Sequence, residues 1–309
     1  MKFHPLMRLC VALMIVCTAA GTGVVAAGTT PTVAPTTTAS DKNNDYFLYI
    51  PTNAAARGPL QVLVTIHGMG GDGAGFCQNL INRAEQDGWI IVSPTFKYQD
   101  YFNPDSVLQD DVRMLPHLKQ IIDGLPAQTG LPIKEKVLLY GFSRGAQMVH
   151  RFAEFYPEKT QAVALFSAGS YTLPLPTMSV NGAPATLNFP YGVADLQKYT
   201  GAAFNATAFR QIPFFLGVGG ADSNAADAPR AWDPYLGTTR IARAQAYENA
   251  LTNLGLDASL TVFPNVTHDV TTDMRGQAMS FLERQAFLET LAQQSRSVTH
   301  PFLSGTHAF

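Results

Sequence analysis

The sequence predicts an α/β fold in which a mostly parallel sheet carries helices on both faces. From residue 45 to residue 292, apolar segments of strand length alternate with amphipathic segments of helical length. The apolar segments are continuous rather than alternating with polar residues, which is typical of strands that are covered on both sides. Together these two patterns favour a sheet enclosed between two layers of helices.

The first 27 residues have the composition of a secretory signal peptide. Lys2 and Arg8 give a positive start, and the apolar stretch at residues 9–20 is too short to span a bilayer. Small residues then lead to a predicted cleavage site after Ala27. We therefore expect a secreted or periplasmic protein with no stable membrane anchor after cleavage.

Both ends of the predicted domain are flanked by less regular sequence. Residues 28–44 are rich in Thr and Pro and predict a flexible linker, and residues 293–309 form a predicted C-terminal tail.

The whole chain has a net charge of −2 and no basic cluster, which argues against a nucleic-acid partner. Two of its three cysteines lie in the leader, so Cys77 is left with no intrachain disulfide partner. The sequence does not predict an oligomeric state.

The strands and helices follow one another in a regular order. Predicted strands occupy residues 45–51, 60–66, 89–92, 136–140, 162–166, 213–218 and 259–263. Predicted helices occupy residues 76–87, 110–123, 146–153, 240–254 and 274–291. Only residues 171–211 break this order. They predict a cap-like insertion that shapes a pocket at the carboxyl edge of the sheet, although a simple surface excursion is the alternative.

A predicted strand and a predicted helix meet at Gly141-Phe142-Ser143-Arg144-Gly145. A serine between two glycines, on a sharp strand-to-helix turn, is the signature of a nucleophile elbow. Glycines two residues to either side leave room for the strained turn that lifts the hydroxyl above the sheet. Ser143 is therefore the candidate nucleophile, and the helix start behind it favours developing negative charge.

A serine nucleophile needs a base and an acid that orients the base. In sheets that carry such an elbow, the acid and then the base follow the serine along the chain. Of the seven histidines, His268 lies in the loop after the last predicted strand, where the base should project. The candidate acid is Asp222, at the end of the preceding strand, with Asp227 as the alternative and Asp233 as a more distant one.

The glycine-rich segment His67-Gly68-Met69-Gly70-Gly71 follows an early strand and supplies the remaining part. Such a loop turns backbone N–H groups towards a substrate carbonyl oxygen, and we assign the oxyanion hole to the amides of Met69 and Arg144. A phosphate-binding loop is the competing interpretation, but no P-loop or dinucleotide motif is present. Paired Cys or His ligand motifs are also missing, so we expect neither a metal nor a cofactor.

These motifs, in this order, resemble the α/β-hydrolase superfamily over about residues 45–292. Within it, the leader, the segment Tyr46-Phe47-Leu48-Tyr49-Ile50-Pro51 and the early His-Gly-x-Gly-Gly motif are similar to the secreted polyhydroxybutyrate depolymerase and feruloyl-esterase-like group. The resemblance implies an α/β-hydrolase fold and a serine esterase that forms an acyl-enzyme.

The predicted function is hydrolysis of carboxylic esters, either polymeric or small. A serine peptidase or amidase of the same fold is the alternative, and a non-catalytic binding module is a further one. The side chain of Arg144 has two predicted roles that the sequence does not separate. It either holds an acidic group of the substrate or forms a salt bridge with a helix acid such as Glu154.

Overall fold

The computed structural model describes residues 38–41 and 44–298. The predicted signal peptide at residues 1–27, most of the predicted linker and the last residues of the predicted tail lie outside this part of the chain. Among the described helices, none combines the length and the apolar character needed to cross a membrane.

Within the described residues, eight strands form one sheet in the order β1-β2-β4-β3-β5-β6-β9-β10. The strands are β1 (Thr38–Asp41), β2 (Asn44–Tyr49), β3 (Val62–Ile66), β4 (Ile90–Pro94), β5 (Val137–Phe142), β6 (Thr160–Phe166), β9 (Phe214–Gly219) and β10 (Ala258–Phe263). The β1–β2 and β2–β4 pairs are antiparallel, and the other pairs are parallel. The mostly parallel sheet is thereby confirmed.

The helices connect these strands. They are α1 (Gly73–Cys77), α2 (Ile81–Asp87), α3 (Pro104–Thr129), α4 (Arg144–Phe155), α5 (Gln197–Thr200), α6 (Ala206–Phe209), α7 (Asp233–Leu236), α8 (Arg240–Asn253) and α9 (Thr272–Val298). The helix predicted at residues 76–87 is divided by a 3-10 turn at Gln78–Leu80, and it ends at Gly88 as predicted. Gly88 has a φ of 70°, a left-handed conformation that favours glycine.

The sheet is covered on both faces. In β3, Val62 and Val64 pack into a core shared with α3, α4 and α8, whereas the intervening Leu63 packs into a core shared with α1, α2 and α9. Successive side chains of a strand point to opposite faces, so continuous apolar strands serve both cores at once. This confirms the predicted helices on the two sides.

Two predicted boundaries need correction. Residues 38–41, expected in the flexible linker, pair with β2 as the edge strand β1. They follow Pro35, the last proline of the linker, so each residue retains an N–H for the ladder. At the other end, α9 continues past residue 292 to Val298, because no glycine or proline interrupts the chain before Pro301.

The insertion at residues 171–211 is a packed segment with little regular structure. It contains the hairpin β7 (Thr177–Val180) and β8 (Ala183–Thr186), together with α5 and α6. Leu173, Leu187 and Phe189 are buried in the same core as α3 and α4. Much of the segment is therefore part of the domain core, whereas its hairpin is largely exposed.

Candidate active site

Ser143 occupies the sharp turn between β5 and α4. Its φ is 55° and its ψ is −116°, a conformation that a non-glycine residue adopts at a cost of about 1–3 kcal/mol. The neighbouring glycines make this turn possible. A Cβ at Gly145 would lie 2.0 Å from the Ile66 carbonyl oxygen, and a Cβ at Gly141 would lie 2.5 Å from the Gly145 carbonyl oxygen.

His268 lies in the loop after β10 and joins Ser143 to Asp222. Its Nε2 atom is 2.9 Å from Ser143 Oγ, and its Nδ1 atom is 2.8 Å from Asp222 Oδ2. The Phe142 ring lies 4.8 Å from the imidazole, centroid to centroid, and supports it from one side. The structure thus brings together the predicted nucleophile, base and acid, which are far apart in the sequence.

The two candidate acids have different surroundings. Asp222 is 4% exposed, and its second oxygen, Oδ1, accepts a hydrogen bond from Arg240 at 3.0 Å. Burial raises the pKa of Asp222, but the hydrogen bond with His268 and the charge of Arg240 outweigh it and hold this pKa below its usual value. Asp227 is exposed and accepts a hydrogen bond from Asn224, with no bond to His268. The geometry therefore favours Asp222.

The glycine-rich loop is held by its own histidine. The Phe96 N–H donates to His67 Nε2 at 3.0 Å, so the ring proton lies on Nδ1, which donates to the Gly68 carbonyl at 2.6 Å. Burial lowers the pKa of His67 and keeps the ring neutral. Because a trans peptide points its N–H opposite to its C=O, the Met69 N–H is turned away from His67.

Both predicted oxyanion amides border the serine. Met69 and Arg144 line the same cleft as Ser143, and a Cβ at Gly68 would lie 3.1 Å from Ser143 Cβ. The Arg144 amide is the first of α4, where no intrahelical acceptor exists. Met69 and Arg144 therefore border the cleft beside Ser143, and their amides stay the predicted oxyanion donors.

The side chain of Arg144 does not have the partner expected from the sequence. It is 1% exposed, and its Nη2 donates to Asp111 on α3 at 2.5 Å. Arg151 donates to the other oxygen of Asp111 at 2.8 Å, whereas Glu154 accepts from Tyr247. The predicted salt bridge with a helix acid is thus formed, but its partner is Asp111 and not Glu154. The true partner lies 33 residues earlier, where the sequence gives no sign of it.

The cleft beside Ser143 has a volume of about 270 Å³. It is lined by Gly68, Met69, Tyr101, Phe142, Ser143, Arg144, Gln147, Gly169, Asp227, Arg240 and His268. None of these residues comes from the insertion at residues 171–211, so the prediction that this insertion shapes the pocket is wrong. Its side chains are used in the core instead. Larger depressions of about 390 and 520 Å³ contain none of the candidate residues.

Within the described chain, no group of three or more His, Cys, Asp or Glu side chains is arranged to hold a metal ion. Cys77 is a buried free cysteine, and burial raises the pKa of its thiol to about 12.

Sequence reasoning missed Arg240 and Asp111, which contact the candidate residues from other helices. The sequence did contain one sign of Arg240. A cation at the first position of a helix opposes the helix dipole, so an arginine at the start of the helix predicted at residues 240–254 suggests a partner outside that helix.

The fold matches solved structures of hydrolases. A poly(aspartic acid) hydrolase-1 from Sphingomonas sp. KT-1 aligns with a TM-score of 0.55 and 20% identity, over 77% of this chain and 92% of that one. Esterase PE8 aligns with a TM-score of 0.51 and 19% identity, over 77% and 96%. A carboxylesterase from Mesorhizobium loti aligns with a TM-score of 0.51 and 15% identity, over 81% and 99%.

Neither a protein-family model nor a curated protein sequence matches the chain. The structural likenesses confirm the predicted α/β-hydrolase fold. The narrower resemblance to the polyhydroxybutyrate depolymerase and feruloyl-esterase-like group stays a prediction.

Proposed function

We propose that this protein is a serine hydrolase that cleaves carboxylic esters through an acyl-enzyme intermediate. The observation that carries the proposal is the hydrogen-bonded chain from Ser143 Oγ to His268 Nε2, 2.9 Å, and from His268 Nδ1 to Asp222 Oδ2, 2.8 Å. A nucleophile, a base and an acid that orients the base are the parts that acyl transfer requires.

In the acylation step, Ser143 Oγ attacks the ester carbonyl carbon while His268 Nε2 takes its proton. Asp222 is ionised, because its pKa is held low, and it stabilises the imidazolium that forms. The imidazolium then gives the proton to the leaving alkoxide as the C–O bond breaks. The products of this step are a free alcohol and an ester of Ser143.

The negative charge on the carbonyl oxygen is received by the N–H groups of Met69 and Arg144. His67 supports this role because it holds the Gly68 carbonyl at 2.6 Å and so fixes the peptide that carries the Met69 N–H. Removing one preorganised donor of this kind costs about 3 kcal/mol in the transition state. Both donors belong to the backbone, so side-chain substitutions at Met69 and Arg144 leave them in place.

In the deacylation step, water replaces the alcohol in the cleft. His268 Nε2 takes a proton from the water, the resulting hydroxide attacks the acyl carbon, and Ser143 leaves with the proton returned by the imidazolium. The products are a carboxylic acid and free enzyme. The cycle uses only groups of this chain and water.

The test is hydrolysis of a p-nitrophenyl ester series, from acetate to palmitate, by the purified protein and by Ser143→Ala. We expect release of p-nitrophenol by the parent and its loss in the variant, with circular dichroism showing that both are folded. The chain length that is hydrolysed best gives the size of the acyl pocket. A folded parent that is inert on every ester contradicts the proposal, and activity on an aminoacyl arylamide alone identifies an amidase instead.

The site of action is a separate proposal, which rests on the sequence of the first 27 residues. We propose that the protein is exported and cleaved after Ala27. Intact-mass and N-terminal sequence analysis of the protein from an exporting host should find Gly28 as the first residue. A retained Met1 in the exported or cytoplasmic fraction would contradict the proposal.

A further inference from the structure

Arg240 is placed unusually for an arginine on a helix. It is the first residue of α8, directly after the cap Thr239, whose hydroxyl accepts from the Ala242 N–H. The N-terminus of a helix carries partial positive charge, so a cation there lowers the stability of the helix. Its side chain is also 4% exposed, and solvent does not offset this repulsion. Contacts outside α8 must therefore compensate the repulsion between the Arg240 charge and the helix dipole.

Those contacts lead to the acid of the candidate site. Arg240 Nη1 donates to Asp222 Oδ1 at 3.0 Å, and Nη2 donates to the Asp227 carbonyl at 2.6 Å. The two terminal nitrogens thus hold both ends of the segment from residue 222 to residue 227. The planar guanidinium fixes the direction of both bonds at once, which a lysine amine would not do.

We propose that Arg240 is a positioning residue that binds one oxygen of Asp222 so that the other oxygen stays aligned with His268. Asp222 Oδ1 is committed to Arg240, and only Oδ2, at 2.8 Å from His268 Nδ1, remains for the imidazole. This role deepens the proposed serine hydrolase function and depends on it.

The electrostatic surroundings give Arg240 a second effect on the same pair. The charged or titratable groups near Asp222 and His268 include Arg240, Tyr171, Asp227 and Asp269, and Arg144 and Tyr101 line the same cleft. Burial raises the pKa of Tyr171 and keeps it neutral, and Asp227 and Asp269 are exposed carboxylates. Arg240 is therefore a nearby cation whose charge lowers the pKa of Asp222 and favours its ionised form.

The chain offers a matched control one helical turn away. Arg243 is also buried in α8, and it donates to the carbonyls of Gly237 and Pro229 at 2.9 and 2.8 Å, to Asp233 at 2.6 Å and to the carbonyl of Gly169 at the cleft. Its hydrogen bonds do not include Asp222. Arg240→Gln and Arg243→Gln thus remove the same charge from the same helix, but only the first removes a partner of the acid.

The experiment compares kcat, KM and the pH profile of p-nitrophenyl butyrate hydrolysis in the full-length wild type and the two variants. For Arg240→Gln we expect kcat to fall about 10- to 100-fold with KM nearly unchanged, as for a small misplacement of a reacting group. The acid limb of kcat/KM should move to higher pH, because the guanidinium no longer helps to hold the pKa of Asp222 below its usual value. Arg243→Gln should keep the wild-type acid limb.

Three results would overturn the proposal. The first is an equal loss of kcat in both variants with unmoved pH profiles, which means a structural role only. The second is a rise of KM alone in Arg240→Gln, which means direct contact with substrate. The third is an inert wild type, which overturns the proposed hydrolase function as well. If Arg240→Gln does not fold, Arg240→Lys decides, since a reduced kcat with an unmoved acid limb supports positioning and a wild-type kcat overturns it.

Discussion

Substitution of Asp111 tests how α4, the helix that follows the elbow serine, is anchored in the domain. Its carboxylate is fully buried on α3 and accepts from Arg144 at 2.5 Å and from Arg151 at 2.8 Å, both on α4. Asp111→Asn leaves the buried guanidinium groups of Arg144 and Arg151 without the carboxylate that they share. Breaking a buried pair by removing one partner costs about 3–5 kcal/mol, and here one carboxylate serves two cations. We expect a loss at the upper part of that range.

The assay is urea unfolding at pH 7, followed by circular dichroism, with Asp123→Asn as the control. Asp123 lies on the same helix and pairs with Lys119 and Lys159, but its side chain is 36% exposed. Exposed pairs of this kind contribute about 0–1 kcal/mol. A loss below about 1 kcal/mol for Asp111→Asn, with an unchanged denaturant slope, would refute the argument that this buried carboxylate anchors α4.

Three further predictions concern the elbow, the acid and a carboxyl group at the end of α2. Gly145→Ala should lower stability by about 1–3 kcal/mol and reduce esterase activity, because the new Cβ meets the Ile66 carbonyl; unchanged melting and activity would contradict this. Asp222→Asn should lower kcat by about 10⁴-fold, and Asp227→Asn should leave kcat within about twofold, as steady-state kinetics can show. Burial and repulsion from Glu283 raise the pKa of Asp87 to about 6 in the folded protein. Because this pKa is higher than in the unfolded chain, ionisation of Asp87 lowers the free energy of unfolding as the pH rises from about 4 to about 6. Asp87→Asn should therefore raise the melting temperature at pH 8 more than at pH 4.

Features set by local sequence could be predicted, and the elbow is the clearest of them. Gly141 has its steric reason within five residues, at the Gly145 carbonyl, and the strand before the elbow is recognisable from its apolar run. The steric reason for Gly145 is the Ile66 carbonyl in β3, so only the motif itself marks this glycine in the sequence. The candidate base and acid also follow from local signals, since each comes just after a strand whose carboxyl end lies at the same edge of the sheet. Parallel strands place such residues together without further information.

Features set by long-range packing could not be predicted. Arg144 and Asp111 meet because α3 packs beside α4, and their sequence separation of 33 residues carries no pattern. The prediction that residues 171–211 shape the pocket failed for a related reason. Its buried residues have no helical or strand period, so nothing in the sequence distinguishes a segment that fills the core from one that covers a cleft.

Arg144 and Arg240 both pair with buried carboxylates, and this affects which substrates the cleft can bind. Arg144 and Arg240 line the cleft but are nearly inaccessible, whereas Met69 is 41% exposed and Asp227 adds an exposed carboxylate. An anionic substrate would meet an apolar surface and a like charge, with no accessible cation to bind it. We therefore expect a higher kcat/KM for p-nitrophenyl butyrate than for the p-nitrophenyl monoester of succinic acid. A preference for the monoester would restore the expectation that Arg144 holds an acidic group.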